Sequence, residues 1–174
     1  MNRKWIVWLL CAVLALCAVG CDPAAPGDSA PSGSQPADPV WKTDVKVEDL
    51  CQAVKDATSL PMSFVLVGPS VIMVETDLDL DLCIEAAMYR TSDTLDEFGV
   101  FLAKDGASAA QVEQTLTDYL KRRNDEWTGQ YMVDEYPKLE KAQVKRDGLY
   151  VCYLVLTEQE RAAAFEAFDA LLKG

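Results

Sequence analysis

Residues 149–156 read LYVCYLVL and residues 97–104 read EFGVFLAK. Turn residues bound both runs, Asp147-Gly148 before the first and Asp105-Gly106 after the second. A strand covered on one face alternates apolar with polar side chains, whereas one that is apolar on both faces must be central. In 97–104, Phe98, Val100 and Leu102 point one way, with Phe101 and Ala103 opposite. The two runs therefore predict the middle of a sheet with packed layers on each side.

The flanking sequence supplies those layers. Residues 47–57 (VEDLCQAVKDA) place Val47, Leu50, Cys51 and Val54 on one helical face. Residues 62–67 are apolar but too short to assign, Gly68-Pro69 breaks them, and 70–82 fits neither period. Residues 82–90 predict a first strand. Ser108 with Gln111 resembles a capping box, and Val112, Leu116, Tyr119, Leu120, Arg123 and Trp127 follow at helical spacing. Residues 133–139 predict a brief helix that contains Pro137, and 142–146 alternate as an edge strand. Asp147-Gly148 predicts a tight hairpin, with both residues tolerating positive φ. Thr157 and Glu160 form a second capping box, and Phe165, Phe168, Leu171 and Leu172 a core stripe. The order α-β-β-α-β-β-α predicts an α+β domain, an antiparallel sheet of about four strands with helices packed on it.

The N-terminal segment has another logic. Arg3 and Lys4 precede an uncharged run, residues 5–21, that ends in Ala18, Val19, Gly20 and Cys21. A basic start, an apolar stretch and small residues at its end are the layout of a secretory signal peptide. The run is short of the roughly 20 apolar residues a spanning helix needs. Its end resembles the lipobox of bacterial lipoproteins, in which lipid joins the cysteine and the signal is cut just before it. Residues 1–20 are thus expected to be a signal peptide and Cys21 the lipidated residue, with diacylglycerol and palmitate anchoring the chain outside the cell membrane. Leu16 is too large to precede the cleavage site at Cys17. Residues 21–40, rich in Pro, Ala, Gly and Ser, are expected to be a flexible tether. Trp41 marks the start of a single domain, 41–174.

Composition narrows the chemistry. The chain has 16 Lys and Arg, 28 Asp and Glu, and a net charge of −12. That surface repels phosphate, so nucleic acid is not an expected partner. With no histidine at all, Ser-His and Cys-His nucleophile pairs are excluded. Beyond the anchor, Cys51, Cys83 and Cys152 are an odd set, and Cys83 and Cys152 are expected to be buried thiols.

No catalytic residue, metal or cofactor is assigned from the sequence. The candidate ligand surface is Asp77, Asp79 and Asp81 together with Trp127, Tyr131 and Tyr136. Asp77, Asp79 and Asp81 match the opening of a calcium loop, but Leu82 and Met88 stand where the loop requires Gly and Glu. The simpler reading is a strand or turn edge with one wet and one dry face. The three aromatics are expected to seal the end of the core.

The segments DEFGVFLAKDG (96–106), DEW (125–127) and DEYPKLEKAQVKRDGLYVCYLVL (134–156) resemble a family of short bacterial lipoproteins catalogued only as a domain of unknown function. The resemblance spans about residues 45–172. It implies lipid anchoring and a compact α+β domain, and supplies no reaction. The expected role is a non-catalytic binding or interaction module for an envelope or protein partner. The alternative is a small-ligand or cation-binding lipoprotein.

Overall fold

The computed structural model describes residues 40–58 and 64–173. The expected signal peptide, Cys21 and the expected tether up to residue 39 lie outside the described residues. The helices are α1 (Val47–Ala57), α2 (Pro69–Thr76), α3 (Gly106–Asp125), α4 (Tyr136–Glu140) and α5 (Glu158–Leu172). The strands are β1 (Val65–Leu66), β2 (Cys83–Arg90), β3 (Glu97–Ala103), β4 (Gln143–Asp147) and β5 (Tyr150–Val155). All pairings are antiparallel, in the order β1-β2-β3-β5-β4. The domain is α+β.

The expected central strands are central, and every residue of β3 and β5 is buried. Their register sorts the side chains into two layers. Phe98, Val100 and Leu102 lie opposite Leu154, Cys152 and Tyr150 and pack with Val47, Leu50, Cys51 and Val54 of α1 and with Ala164, Phe168 and Leu172 of α5. On the other face Phe101, Val151, Tyr153 and Val155 pack with Val112, Leu116, Tyr119 and Leu120 of α3, Ile72 of α2 and Leu139 of α4. The α1 face is the one its spacing predicts. The α5 stripe is shifted: Arg161, Ala164, Phe168 and Leu172 are buried, Phe165 is half-buried and Leu171 exposed. Arg161 is accommodated because its Nη1 donates to the carbonyl of Leu156 at 3.0 Å.

The structure corrects several local expectations. The sheet gains a fifth strand, because the unassigned apolar run provides Val65 and Leu66, which pair with Arg90 and Tyr89. The ambiguous stretch is not a strand. It forms α2, which ends where Asp77 adopts a left-handed φ of 59°, followed by a 3₁₀ turn, Leu80–Leu82. Helix α3 starts earlier than Ser108, because the Asp105 carboxylate accepts the Ser108 N–H at 2.7 Å; aspartate caps as well as serine and stands three residues ahead. That bond holds the Asp105 carboxyl below the usual carboxylate range. The hairpin turn is Gly148-Leu149, with Asp147 still paired to Tyr150 in the ladder. Only Gly148 takes positive φ, 61°, as a two-residue turn with glycine first requires. Pro137 sits in the first turn of α4, where its missing N–H costs nothing.

The start and end of the domain are joined. Trp41 bridges Lys173, Lys42 N–H donates to the Leu172 carbonyl at 2.9 Å, and the Tyr150 hydroxyl donates to the Val45 carbonyl at 2.6 Å.

Gly99 controls one close approach. It lies opposite Tyr153, and a Cβ there would stand 2.5 Å from the Tyr153 ring and 2.7 Å from Phe101. The missing side chain lets the Tyr153 ring lie across β3. Gly99→Ala is expected to destabilise the domain by about 1–3 kcal/mol, the usual cost of overpacking. Urea denaturation checks this, and an unchanged midpoint would contradict it.

Candidate functional site

Glu97 opens β3, and its side chain is only 4% exposed. An ionised carboxylate in such a place needs partners. Three donors meet on its Oε1: the Tyr119 hydroxyl at 2.9 Å, the Tyr153 hydroxyl at 2.8 Å and Arg123 Nη1 at 2.8 Å. Tyr119 and Arg123 are one turn apart on α3, and Arg123 also donates to the Tyr119 hydroxyl at 3.0 Å. Burial, then the Glu97 charge, pushes both phenols well above their ordinary ionisation range, so both act as donors. Burial works against the Arg123 charge, but Glu97 and the two phenols outweigh it.

Glu97 is also part of the wall of a solvent-facing cavity of about 290 Å³, lined by Glu75, Arg90, Glu97, Tyr119, Arg122, Arg123 and Glu126. The ends of four elements meet there: the last turn of α2, the end of β2, the start of β3 and the C-terminus of α3. Arg90 Nη1 bonds both Glu75 oxygens, at 2.8 and 2.9 Å, and this bond raises the Arg90 pKa. Arg122 pairs with Asp77 and donates to the Glu75 carbonyl. The two arginines in the last turn of α3 suit the negative end of that helix.

Two further charge clusters brace the domain elsewhere. Lys138 of α4 sits 2.8 and 2.9 Å from the oxygens of buried Asp96 and 2.6 Å from Glu135. Burial lowers its pKa, but the bonds to Asp96 and Glu135 raise it further. On the opposite face Lys145 bridges Asp147 and Asp169. Burial raises the Asp147 pKa, against the pull of Lys145. Asp169 moves the other way, since its bonds to Lys145 and Lys173 outweigh burial. In both clusters each carboxylate is held by a lysine, the arrangement that makes buried charge tolerable.

Most residues of the expected ligand surface have local contacts of their own. Asp77, Asp79 and Asp81 are exposed and Leu78 is buried, so the wet and dry faces exist, but on a helix end and a turn. Asp77 pairs with Arg122. Asp79 caps the turn by accepting the Asp81 N–H at 2.9 Å. Among the described residues no group of three or more Asp, Glu or Cys is placed to hold a metal ion. Trp127 packs on the core and stacks on Tyr136, centroids 5.7 Å apart, and the Tyr136 hydroxyl donates to Asn124 at 2.9 Å. These two seal the core end. Tyr131 does not, being 65% exposed.

Tyr119 and Arg123 fall on the stripe of α3 that helical spacing predicts, whereas no sequence pattern singles out Glu97. An arginine at a stripe position is the available signal, because a half-buried guanidinium turned toward the core requires an acceptor opposite.

Residues 73–156 match the family model of a domain of unknown function, DUF4358, which agrees with the resemblance in so far as that is to a family catalogued only as such a domain. That span contains the whole Glu97 network and its cavity. No curated protein and no solved structure matches the chain. Among the described residues no helix is long and apolar enough to cross a membrane.

Cys51, Cys83 and Cys152 are free thiols. Cys152 is buried as expected, and so is Cys51. Cys83 is only half-buried, because it opens β2 at the sheet margin. Burial pushes the Cys51 thiol up to about 12, Cys83 to about 11, and Cys152 well above the ordinary value. At pH 8 the reactive thiolate is then about 1 in 10⁴ at Cys51 and about 1 in 10³ at Cys83. Iodoacetamide on the folded chain should label Cys83 first, and Cys51 and Cys152 only after denaturant is added. Peptide-resolved mass spectrometry reads the order; a Cys51–Cys152 disulfide or equal labelling would contradict it.

Proposed function

We propose that this chain is a bacterial lipoprotein, held on the outer side of the cell membrane by lipid on Cys21, whose domain is a non-catalytic binding module. The run Arg3-Lys4, uncharged residues 5–20 and Ala18-Val19-Gly20-Cys21 supports the anchor. Diacylglycerol and a further acyl chain give the two hydrophobic signals that stable attachment needs. The chain's net charge of −12 gives it no electrostatic attraction to an anionic membrane surface, so attachment falls to the lipid.

The observation that carries the binding reading is how the buried carboxylates are used. Glu97, Asp96 and Asp147 are each held by a basic partner, an arrangement suited to fixing shape. The partner is an envelope component or a protein. A second reading, a small-ligand site, is favoured by the charged cavity at the end of α3. The cation version of that reading has less support, since Asp77 pairs with Arg122 and Asp79 spends a carboxylate oxygen on the Asp81 N–H.

Cys21→Ser is expected to abolish incorporation of labelled palmitate and leave uncleaved precursor. Mass spectrometry of the wild-type chain should find a mature start at Cys21 with diacylglycerol on its sulfur. An unmodified Cys21, or a mature start elsewhere, would overturn the anchor.

A further inference from the structure

The cavity at the C-terminal end of α3 has more hydrogen-bonding groups than its internal pairs use. Arg90 engages Glu75 through Nη1 alone. Arg123 likewise uses only Nη1, for Glu97 and Tyr119. Among the described residues, the Nε and Nη2 of both guanidiniums take no hydrogen-bond partner, beside the cavity they line. On the acidic side, all three bonds to Glu97 fall on Oε1, which leaves Oε2. Glu126, the C-cap of α3, makes no side-chain hydrogen bond or ion pair among the described residues, and it lines the same space.

A simple anion is poorly served here. The wall carries three arginines, but also Glu75, Glu97 and Glu126, with Asp77 on Arg122, in a chain of net charge −12. A simple cation would meet the three guanidiniums. A molecule with both signs satisfies both sets at once, with its carboxylate on the planar fork of an arginine and its ammonium on the free carboxylate oxygens. At about 290 Å³ the space is at the lower limit of ligand pockets, which run roughly 300–1,000 Å³, and so suits a small molecule.

We propose that this cavity binds a small zwitterion of the α-amino-acid class, its carboxylate held by Arg90 and Arg123 and its ammonium by Glu97 and Glu126. The inference rests on the second reading, a small-ligand site in this cavity, and names the ligand class. Neither the anchor nor the fold depends on it, so lipid labelling of Cys21 can succeed while this fails.

Calorimetric titration of the full-length chain in mild detergent tests it. The probes are glycine, alanine, glutamate, lysine and phenylalanine, each beside its N-acetyl and carboxamide forms. At least one free amino acid should bind with millimolar affinity or better, and both of its blocked forms should bind at least tenfold more weakly. Arg90→Gln and Glu126→Gln, both at exposed positions, should each weaken binding at least tenfold while circular dichroism and the thermal midpoint stay near wild type. The proposal is overturned if no free amino acid gives heat up to 10 mM with folded protein. It is overturned equally if the blocked forms bind as well as the free ones, or if both variants bind like wild type.

Discussion

A single carboxylate oxygen organises the larger layer of this domain. Glu97 stands at the head of a strand buried along its whole length, where an unpaired charge would cost several kcal/mol. Its Oε1 is reached from two directions, by Tyr119 and Arg123 on α3 and by Tyr153 on β5. The helix is therefore fixed on the sheet by direction as well as by apolar contact. Gly99 belongs to the same arrangement, since its missing side chain leaves room for the Tyr153 ring. The two tyrosine rings then meet edge to face, centroids 5.9 Å apart.

The opposite layer is held differently. Helices α1 and α5 pack through an almost wholly apolar cluster, and charge appears at its margins. Lys145 spans Asp147 and Asp169, and Arg161 reaches back to the end of β5. Apolar burial is non-directional, so this layer can be closed by the ends of the domain, where Trp41 meets Lys173. The cavity at the end of α3 lies on the polar layer, where Arg90, Arg122 and Arg123 meet Glu75, Glu97 and Glu126.

Much of the fold could be read from local pattern. The two-sided apolar runs of β3 and β5 announced central strands, and the spacing of Val47, Leu50, Cys51 and Val54 gave the buried face of α1. Features set by a few residues were harder. Val65 and Leu66 become a strand only because Tyr89 and Arg90 are there to pair with them, a long-range fact. Asp105 and Ser108 are both good caps, and their competition is decided by backbone geometry. The Asp77–Asp81 alternation has the period of a strand, yet Asp77 takes a left-handed φ and ends a helix. The candidate site was the least legible part, because Glu97 and Arg123 are 26 positions apart and become partners only through the fold. The position of Arg123 on an otherwise apolar stripe was its one trace in the sequence.

A double-mutant cycle on Glu97 and Arg123 tests the organising role of that carboxylate most directly. Glu97→Gln, Arg123→Met and the double variant would be compared with wild type by urea denaturation of a chain beginning at Trp41. The account predicts that each single change is strongly destabilising and that the pair couples by at least about 1.5 kcal/mol, as residues in one buried network do. Effects that add to within about 0.5 kcal/mol, as independent sites do, would contradict it.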